Sequence, residues 1–399
     1  MKIENYSLKR NLQDPIFKGK QPLLSHLDIE LTERCNNNCV HCYINQPEKD
    51  TNAADRELTT DEWKDILQQA ADLGALSVRF TGGEPLLRED FTDLYLHARQ
   101  LGMRVILFTN ARLITPQLAD LFAKIPPLKK IEVSVYGMHM DSYDAISRVP
   151  GAFLQYHQSI NLLLERQIPF VVKSVLLPPN KHERDEFEAW ADTIPSMDIN
   201  LPYAIFLDLR ARRDSAIKNR MITKLRFSPE EGLAFLTRDK DNYFKSVAQF
   251  SAQYLYPQGD LLFNCGAGEG GCVDAYGKYQ MCIPLRHPDT VYDLRHGSIK
   301  KALTDVFPKL RDLRAKNPAY LERCARCFIK SLCEQCPGKS WTEHGTLDTP
   351  VEYLCQVGHA QARYLGLVKE GEHAWEVEDW RERIAQLSNE VTNPKNGSS

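Results

Sequence analysis

Between residue 26 and about residue 206 the chain alternates between short strand-like runs and longer helix-like stretches. The strand-like runs are residues 26–32, 76–81, 103–109, 130–136, 170–177 and 199–206. Six strands that alternate with helices predict a parallel sheet with right-handed crossovers. The predicted fold class is therefore α/β. Both an open doubly wound sheet and a partial barrel satisfy this pattern.

Two of the intervening stretches show the spacing of amphipathic helices. In the first, apolar side chains recur at intervals of three and four: Trp63, Ile66, Leu67, Ala70 and Leu73. Thr60 or Asp61 is the expected N-cap, and Gly74 the expected end. The second predicted helix covers residues 90–100 and stops at Gly102, which accepts a left-handed conformation.

Three cysteines, Cys35, Cys39 and Cys42, follow the first strand directly in the run C-N-N-N-C-V-H-C-Y. No fourth ligand lies nearby in the sequence. Structural zinc sites and fully ligated iron–sulfur clusters both use four protein ligands. The triple therefore predicts a metal centre with one coordination position left for another molecule.

The second strand is followed by Gly82, Gly83, Glu84 and Pro85. Because the carboxyl ends of parallel strands meet at one side of the sheet, this loop and the cysteine loop should be neighbours. Paired glycines allow a ligand to approach the backbone, and the carboxylate could bind an ammonium group.

The other eight cysteines are confined to residues 265–355. They are Cys265, Cys272, Cys282, Cys324, Cys327, Cys333, Cys336 and Cys355. Disulfides suit secreted scaffolds, but residues 1–21 are charged throughout and have no apolar signal-peptide core, so we expect a cytoplasmic chain. A zinc ribbon also fits the spacing of the tail cysteines taken alone.

Composition excludes several classes of function. With 399 residues, of which 43% are hydrophobic, the chain can form one large core and a smaller attached domain. A net charge of −3 argues against a general nucleic-acid binder. The apolar runs are too short to cross a bilayer. We therefore expect neither nucleic-acid nor membrane partners.

The cysteine run at residues 35–43, together with residues 82–85, resembles the radical S-adenosylmethionine superfamily. The resemblance implies a [4Fe–4S] cluster held by Cys35, Cys39 and Cys42, with S-adenosylmethionine bound to the fourth iron. Reductive cleavage of that nucleotide then yields a 5′-deoxyadenosyl radical, which takes a hydrogen atom from the substrate. In such an enzyme these three cysteines are the catalytic residues, and the fold is a partial (β/α)6 TIM barrel.

The same resemblance implies contacts to S-adenosylmethionine. Gly82, Gly83, Glu84 and Pro85 would hold the methionyl ammonium, and Tyr43 would border the adenine. Candidate ribose and carboxylate contacts are Ser134, Arg148 and Lys173. A hydroxyl that faces its strand neighbours and a solvated surface guanidinium are the alternatives for Ser134 and Arg148.

The tail cysteines resemble the SPASM extension of peptide, sulfatase and quinone-cofactor maturases. That resemblance implies two auxiliary [4Fe–4S] clusters, for three in all. The first would use Cys265, Cys272, Cys282 and Cys336, and the second Cys324, Cys327, Cys333 and Cys355. One departure concerns Cys336, which follows Cys333 after two residues where three are usual.

The expected domains follow from these motifs. They are an N-terminal lead (1–25), a radical SAM partial barrel (26–227), a helical bridge (228–259), a SPASM domain (260–357) and C-terminal helices with a polar tail (358–399).

The sequence leaves the substrate open. A fully ligated auxiliary cluster suits electron transfer, so we expect a net two-electron oxidation. Oxidative modification of a peptide or protein side chain ranks first, with thioether, carbon–carbon or carbon–oxygen linkage unresolved. A small-molecule cofactor precursor ranks second, and a non-catalytic iron–sulfur carrier or a zinc scaffold is the rival class. Either a leader peptide is bound by a separate leader-binding protein or no leader is used, and the expected electron donor is a flavodoxin- or ferredoxin-type protein.

Residues 207–226 form a basic segment. It contains Arg210, Arg212, Arg213, Lys218, Arg220, Lys224 and Arg226. Two interpretations are open: the segment attracts an acidic leader or an anionic substrate, or it is a solvated loop.

Overall fold

A computed structural model describes residues 24–197, 203–265, 267–268 and 270–392. The chain divides into two compact units. The first comprises Met1–Leu225 and Ala267–Pro308, and the second comprises Arg226–Gly266 and Lys309–Ser399.

Strands occur only in the first unit among the described residues. In chain order they are β1 (His26–Thr32), β2 (Arg34–Cys35), β3 (Gln46–Pro47), β4 (Ser77–Gly82), β5 (Arg104–Thr109), β6 (Leu128–Val135), β7 (Phe170–Val175), β8 (Tyr203–Ala204), β9 (Cys272–Val273), β10 (Lys278–Gln280) and β11 (Val291–Asp293). β2 and β3 pair in parallel as a separate ladder. The other nine form one sheet in the order β11-β10-β9-β1-β4-β5-β6-β7-β8.

The order of the parallel strands distinguishes between the two predicted arrangements. From β1 to β8 each strand of the main sheet pairs in parallel with the next one along the chain. A doubly wound sheet reverses its strand order at a switch point, whereas a barrel adds strands in sequence. The sheet is therefore of the partial-barrel type, as the resemblance implied.

Helices connect these strands and make up most of the second unit. In chain order they are α1 (Thr51–Ala54), α2 (Thr60–Asp72), α3 (Phe91–Gln100), α4 (Pro116–Lys124), α5 (Met140–Ser147), α6 (Ala152–Glu165), α7 (Arg184–Ala191), α8 (Ala216–Leu225), α9 (Pro229–Leu236), α10 (Lys240–Tyr254), α11 (Ile299–Lys301), α12 (Phe307–Arg311), α13 (Lys330–Cys333), α14 (Pro337–His344), α15 (Glu352–Tyr364) and α16 (Trp380–Thr392). Short π-helical turns cover Ala302–Val306 and Tyr320–Cys324.

The first long helix, α2, shows how local sequence sets these elements. Its N-cap is Thr59, one residue earlier than predicted, because Thr59 and Glu62 exchange hydrogen bonds in a capping box. The apolar stripe of α2 is buried as its spacing predicts, with Trp63 and Leu67 fully enclosed. Gly74 and Gly102 have φ values of 97° and 77°, which a residue without a side chain adopts at least cost.

The first unit also contains a segment that sequence reasoning assigned to the SPASM domain. β9 pairs in parallel with β1, and β10 and β11 extend the sheet in antiparallel fashion. Residues 267–308 therefore group with the first unit, and the SPASM domain expected over residues 260–357 stays a prediction. Pairing between segments so distant in sequence has no local signal.

In the second unit, the helices pack around one apolar cluster. Phe328, Ile329, Ala362 and Leu367 are fully buried at its centre, and Ala374 is 1% exposed. Of the C-terminal helices expected within residues 358–399, the structure has the end of α15, which stops at Tyr364, and α16. Part of the predicted strand at 199–206, and all of residues 393–399, lie outside the described residues. Among the described helices, none is both long and apolar enough to cross a membrane.

Candidate functional site

The cysteine loop leaves the carboxyl end of β1 and is held in place by its backbone. The amides of Asn38 and Val40 donate to the carbonyls of Ser147 (2.9 Å) and Ile146 (3.0 Å) at the end of α5. The Arg112 guanidinium donates to the carbonyl oxygen of Asn36 at 2.7 Å. These contacts fix the three thiols relative to the sheet.

The thiols of the loop receive hydrogen bonds and are largely shielded from water. The Asn37 amide lies 3.3 Å from the sulfur of Cys35, and the Asn45 amide lies 3.4 Å from that of Cys42. Burial, with the neighbouring Cys42, raises the pKa of Cys39 to about 12. Because iron binds thiolates, cluster binding would release protons from this loop.

Gly82, the last residue of β4, and Gly83 lie so close to the backbone of residues 32–34 that a side chain would not fit at either position. A Cβ on Gly82 would lie 2.2 Å from the Thr32 carbonyl oxygen, and one on Gly83 would lie 2.2 Å from that of Arg34. The Gly83 amide donates to Thr32 O at 2.7 Å, and the Glu84 amide donates to Arg34 O at 2.9 Å. The glycine loop thus lies directly against the start of the cysteine loop.

The Glu84 carboxylate is held by hydrogen bonds within the protein. This fully buried carboxylate accepts hydrogen bonds from the Thr109 hydroxyl (2.8 Å), the Asn110 amide (2.8 Å) and the Leu86 amide (3.1 Å). Burial raises its pKa to about 7 despite these donors. The Glu84 side chain therefore connects the glycine loop to the end of β5. An ammonium group in the site would then contact the backbone of Gly82 and Gly83.

One cavity of about 580 Å³ collects most of the predicted residues at the carboxyl ends of the strands. It is bordered by Cys35, Cys39, Cys42, Tyr43, Gly82, Gly83, Ser134 and Lys173. Glu84, Pro85 and Arg148 do not border it. Arg148 is exposed and ends α5 in a left-handed conformation with φ 58°.

Sequence reasoning missed several residues of this cavity. They are His41, Asn45, Thr81, Phe108, Thr109, Asn110, Tyr136, Ser174, Tyr203, Phe206 and Asp208. Thr109 and Asn110 stand at the end of β5, where the strand-end rule could have found them. The His41 ring is kept neutral by burial, which lowers its pKa to about 4. Its Nδ1 atom is buried and has no hydrogen-bond partner in the described structure, which leaves a polar atom available to a ligand.

Charged side chains pair across the barrel interior. Arg79 on β4 contacts Asp28 on β1 at 2.8 Å, and Lys173 on β7 pairs with Glu132 on β6. Both cations also lie over the ring of Phe108, at 4.7 and 5.1 Å from its centroid. Lys173 therefore borders the cavity as one member of an ion pair.

Two side chains of the basic segment reach the cysteine loop. Arg210 is 2% exposed and donates to the carbonyl oxygens of Cys42 and Asn45, each at 3.2 Å. The same guanidinium pairs with Asp214 at 2.5 Å. Lys218 donates to the Asn45 side chain at 2.9 Å. These residues brace the cysteine loop, so neither interpretation of the segment describes them.

A second buried charge network joins β1 to the segment that carries β9. Arg286 contacts Glu33 at 2.9 Å and also pairs with Glu30. Arg212 contacts Glu33 and Asp274, both at 2.6 Å. All three carboxylates are at most 1% exposed. The network fixes residues 267–308 against the strand that leads into the cysteine loop.

In the second unit, Cys324, Cys327, Cys333 and Cys355 border one small cavity, and Cys336 does not. The Arg323 guanidinium lies 3.6 Å from the sulfur of Cys355, and it forms an ion pair with Glu352 at 2.6 Å.

His359 also contacts Cys355. The His359 Nε2 accepts a hydrogen bond from the Ala374 amide at 3.1 Å, so the ring proton lies on Nδ1. That Nδ1 donates to the Cys355 carbonyl oxygen at 2.8 Å. Cys324, Cys327, Cys333 and Cys355 thus border one cavity, and their role as ligands of the second auxiliary cluster stays a prediction.

The other predicted auxiliary set is divided between the units. Cys272, in β9, and Cys282 belong to the first unit, and Cys265 and Cys336 belong to the second. This set remains a prediction.

Among the described residues, no three His, Cys, Asp or Glu side chains are arranged to hold a single metal ion. Each thiolate of a four-iron cluster binds a different iron. Cys35, Cys39 and Cys42 border one cavity, so a four-iron cluster held by these three thiols would keep one iron without a protein ligand.

Comparison with known proteins agrees with this geometry. Residues 29–192 match the Radical SAM superfamily. The chain is 31% identical to an AdoMet-dependent heme synthase of Oleidesulfovibrio alaskensis over 338 residues, which cover 79% of this chain and 83% of that protein. It is 25% identical to an Fe-coproporphyrin III synthase of Methanosarcina barkeri over 86% of this chain and 91% of that protein.

Two further similarities are to a peptide cyclase and to a solved structure with bound S-adenosylmethionine. A PqqA peptide cyclase of Bradyrhizobium diazoefficiens is 32% identical over 155 residues, which cover 39% of this chain and 40% of that protein. Among solved structures, Streptococcus suis SuiB bound to S-adenosylmethionine superposes with a TM-score of 0.58 at 18% identity, covering 84% of this chain and 78% of that chain.

These comparisons show that the protein is a radical enzyme with a partial-barrel fold. The chain belongs to the radical SAM superfamily, whose members of this kind use S-adenosylmethionine and a [4Fe–4S] cluster.

Proposed function

We propose that this enzyme performs a net two-electron oxidation of a carbon centre in its substrate. The observation that carries the proposal is the single cavity bordered by three thiols and the Gly82–Gly83 backbone. Cys35, Cys39 and Cys42 would hold a four-iron cluster there, and with S-adenosylmethionine bound it would supply radical hydrogen-abstraction chemistry.

The chain's own residues would position that nucleotide and keep water away from it. Gly82 and Gly83 offer backbone atoms without side chains, so the methionyl ammonium can reach their carbonyl groups. Tyr43 and Ser134 border the same cavity and are the proposed adenine and ribose contacts. Lys173, held by Glu132, is a proposed carboxylate contact. Arg148 is exposed and does not border this cavity, which argues against a contact with the nucleotide.

After the hydrogen atom is removed, the substrate radical must lose one more electron to complete the two-electron oxidation. Cys324, Cys327, Cys333 and Cys355 are the proposed ligands of an auxiliary cluster that accepts it. Because all four positions would be ligated by protein, this group suits electron transfer rather than substrate binding. A flavodoxin- or ferredoxin-type donor is the proposed source of the first electron.

For the substrate, we place a small-molecule precursor of iron-porphyrin type first. The relatives that match over most of their length are an AdoMet-dependent heme synthase and an Fe-coproporphyrin III synthase. This reverses the order that the sequence alone favoured. A peptide or protein side chain is the second candidate, supported by the shorter match to a PqqA peptide cyclase.

The test is anaerobic turnover of the reduced, iron-loaded protein with S-adenosylmethionine and Fe-coproporphyrin III. We expect 5′-deoxyadenosine to form and the porphyrin to lose mass from a side chain, with no change in the Cys39→Ala variant. If the nucleotide is cleaved but the porphyrin stays intact, the first candidate is wrong. A new cross-link in a co-purifying peptide under the same conditions would establish the second.

A further inference from the structure

The second unit contains a lysine whose position is energetically costly. Lys330, the first residue of α13, is only 4% exposed. Its ammonium donates to the Tyr320 hydroxyl at 2.5 Å and lies 5.0 Å from the centroid of that ring. A buried ammonium costs several kcal/mol unless an anion compensates it.

The described residues offer Lys330 no carboxylate partner. Ion pairs connect the nearby cation Arg323 to Glu352, but none includes Lys330. Tyr320 cannot supply the charge either. Burial raises the pKa of its hydroxyl, which therefore stays neutral.

The groups that share a cavity with Lys330 include four cysteine sulfurs, which become anionic thiolates when they bind iron. Lys330 borders the same small cavity as Cys324, Cys327, Cys333 and Cys355. Its carbonyl oxygen accepts a hydrogen bond from the Cys333 thiol at 3.2 Å, so α13 connects the two residues directly. An iron–sulfur cluster with four thiolate ligands carries net negative charge, and its reduction adds one more.

We propose that Lys330 is the buried counter-charge of the auxiliary cluster held by these four cysteines, and that it raises the reduction potential of that cluster. The inference rests on the proposed auxiliary cluster. A fixed positive charge close to the sulfurs favours the reduced, more negative state. Lys330 is thus a positioning residue for electron transfer, which makes the cluster a better acceptor of the substrate's electron.

The experiment compares Lys330→Met with the parent protein in full-length, anaerobically reconstituted samples. Both carry Ala at residues 35, 39 and 42, so that only auxiliary clusters remain. A redox titration followed by electron paramagnetic resonance gives their midpoint potentials, and Cys327→Ala identifies the signal of this cluster. The matched control is Lys316→Met, which removes an exposed lysine of the same unit.

In Lys330→Met, we expect the reduced-to-oxidised ratio of this cluster at a fixed potential to fall about tenfold, or about 59 mV for one electron. The other auxiliary cluster and the Lys316→Met protein should keep their midpoints. A purely structural role would reduce iron content without moving the midpoint of the iron that remains. An unchanged midpoint at full iron content would overturn the proposal.

Two safeguards separate the possible failures. If Lys330→Met does not fold, Lys330→Gln removes the charge while keeping a polar end, and the same shift is expected. If Cys327→Ala loses no iron, the auxiliary cluster itself is absent, and both proposals fail on that ground. If Cys327→Ala loses iron as expected but the midpoint potential of the cluster is unchanged in Lys330→Gln, only the role of Lys330 is refuted.

Discussion

Replacing Arg210 with Met should weaken the cysteine loop more than any other single change in the basic segment. Arg210 lies 168 residues from Cys42 in sequence, yet it donates to that residue's carbonyl oxygen at 3.2 Å. Two further bonds reach the side-chain and main-chain oxygens of Asn45, each at 3.2 Å. Methionine fills similar space but makes none of these contacts.

The magnitude follows from the burial of the pair. Removing one partner of a buried ion pair typically costs about 3–5 kcal/mol. The Asp214 side chain is 29% exposed to solvent, so water can hydrate it after Arg210 is replaced. The cost should therefore fall at the lower end of that range, about 3 kcal/mol.

The assay is urea-induced unfolding of the iron-loaded protein under anaerobic conditions, together with the iron-to-protein ratio after gel filtration. Arg210→Met should unfold at lower urea and lose about four irons, because the loop that holds the first cluster is no longer braced. The control is Arg220→Met, which removes an exposed arginine of α8. Equal urea midpoints and iron contents for the two variants would refute the bracing role.

Further predictions concern the glycine loop and the second charge network. Gly83→Ala should abolish binding of S-adenosylmethionine in equilibrium dialysis and lower the free energy of unfolding by at least about 1–3 kcal/mol. The reason is that the new methyl group would lie 2.2 and 2.6 Å from the backbone oxygens of Arg34 and Glu33. Wild-type affinity in this variant would contradict the close contact. Arg286→Met should destabilise the protein more at about pH 8 than at about pH 6. The reason is that burial already raises the pKa of Glu30 to about 7, and without Arg286 it rises further. The carboxylate is then protonated at the lower pH and costs stability only as the pH increases. A difference between variant and wild type that does not change with pH would contradict this account of the network.

The parts of the site that local sequence encodes could be predicted, and the parts built from distant contacts could not. The cysteine loop and the glycine pair lie in loops that directly follow strands of the sheet, so periodicity and strand-end position located them. Arg210 gave no such signal, because charge patterning cannot tell a buried arginine from a solvated one. Only the fold brings it to Cys42.

Two other differences have the same cause. Residues 267–308 join the sheet through parallel pairing of β9 with β1, and no turn or periodic pattern marks that contact. Glu84 was expected to attract an ammonium group because it is a carboxylate beside two glycines. Its three hydrogen-bond donors come partly from the end of β5, which the sequence of the loop does not reveal.

Cys35, Cys39 and Cys42 are proposed to hold a cluster whose remaining iron would bind S-adenosylmethionine for reductive cleavage. The most direct measurement is electron paramagnetic resonance of the reduced protein before and after the nucleotide is added, with 5′-deoxyadenosine quantified in the same sample. We predict a changed cluster signal and formation of 5′-deoxyadenosine, both lost in Cys39→Ala, whose iron content falls from about twelve to about eight. A signal that does not respond to the nucleotide, or zinc bound to these three thiols, would contradict the account.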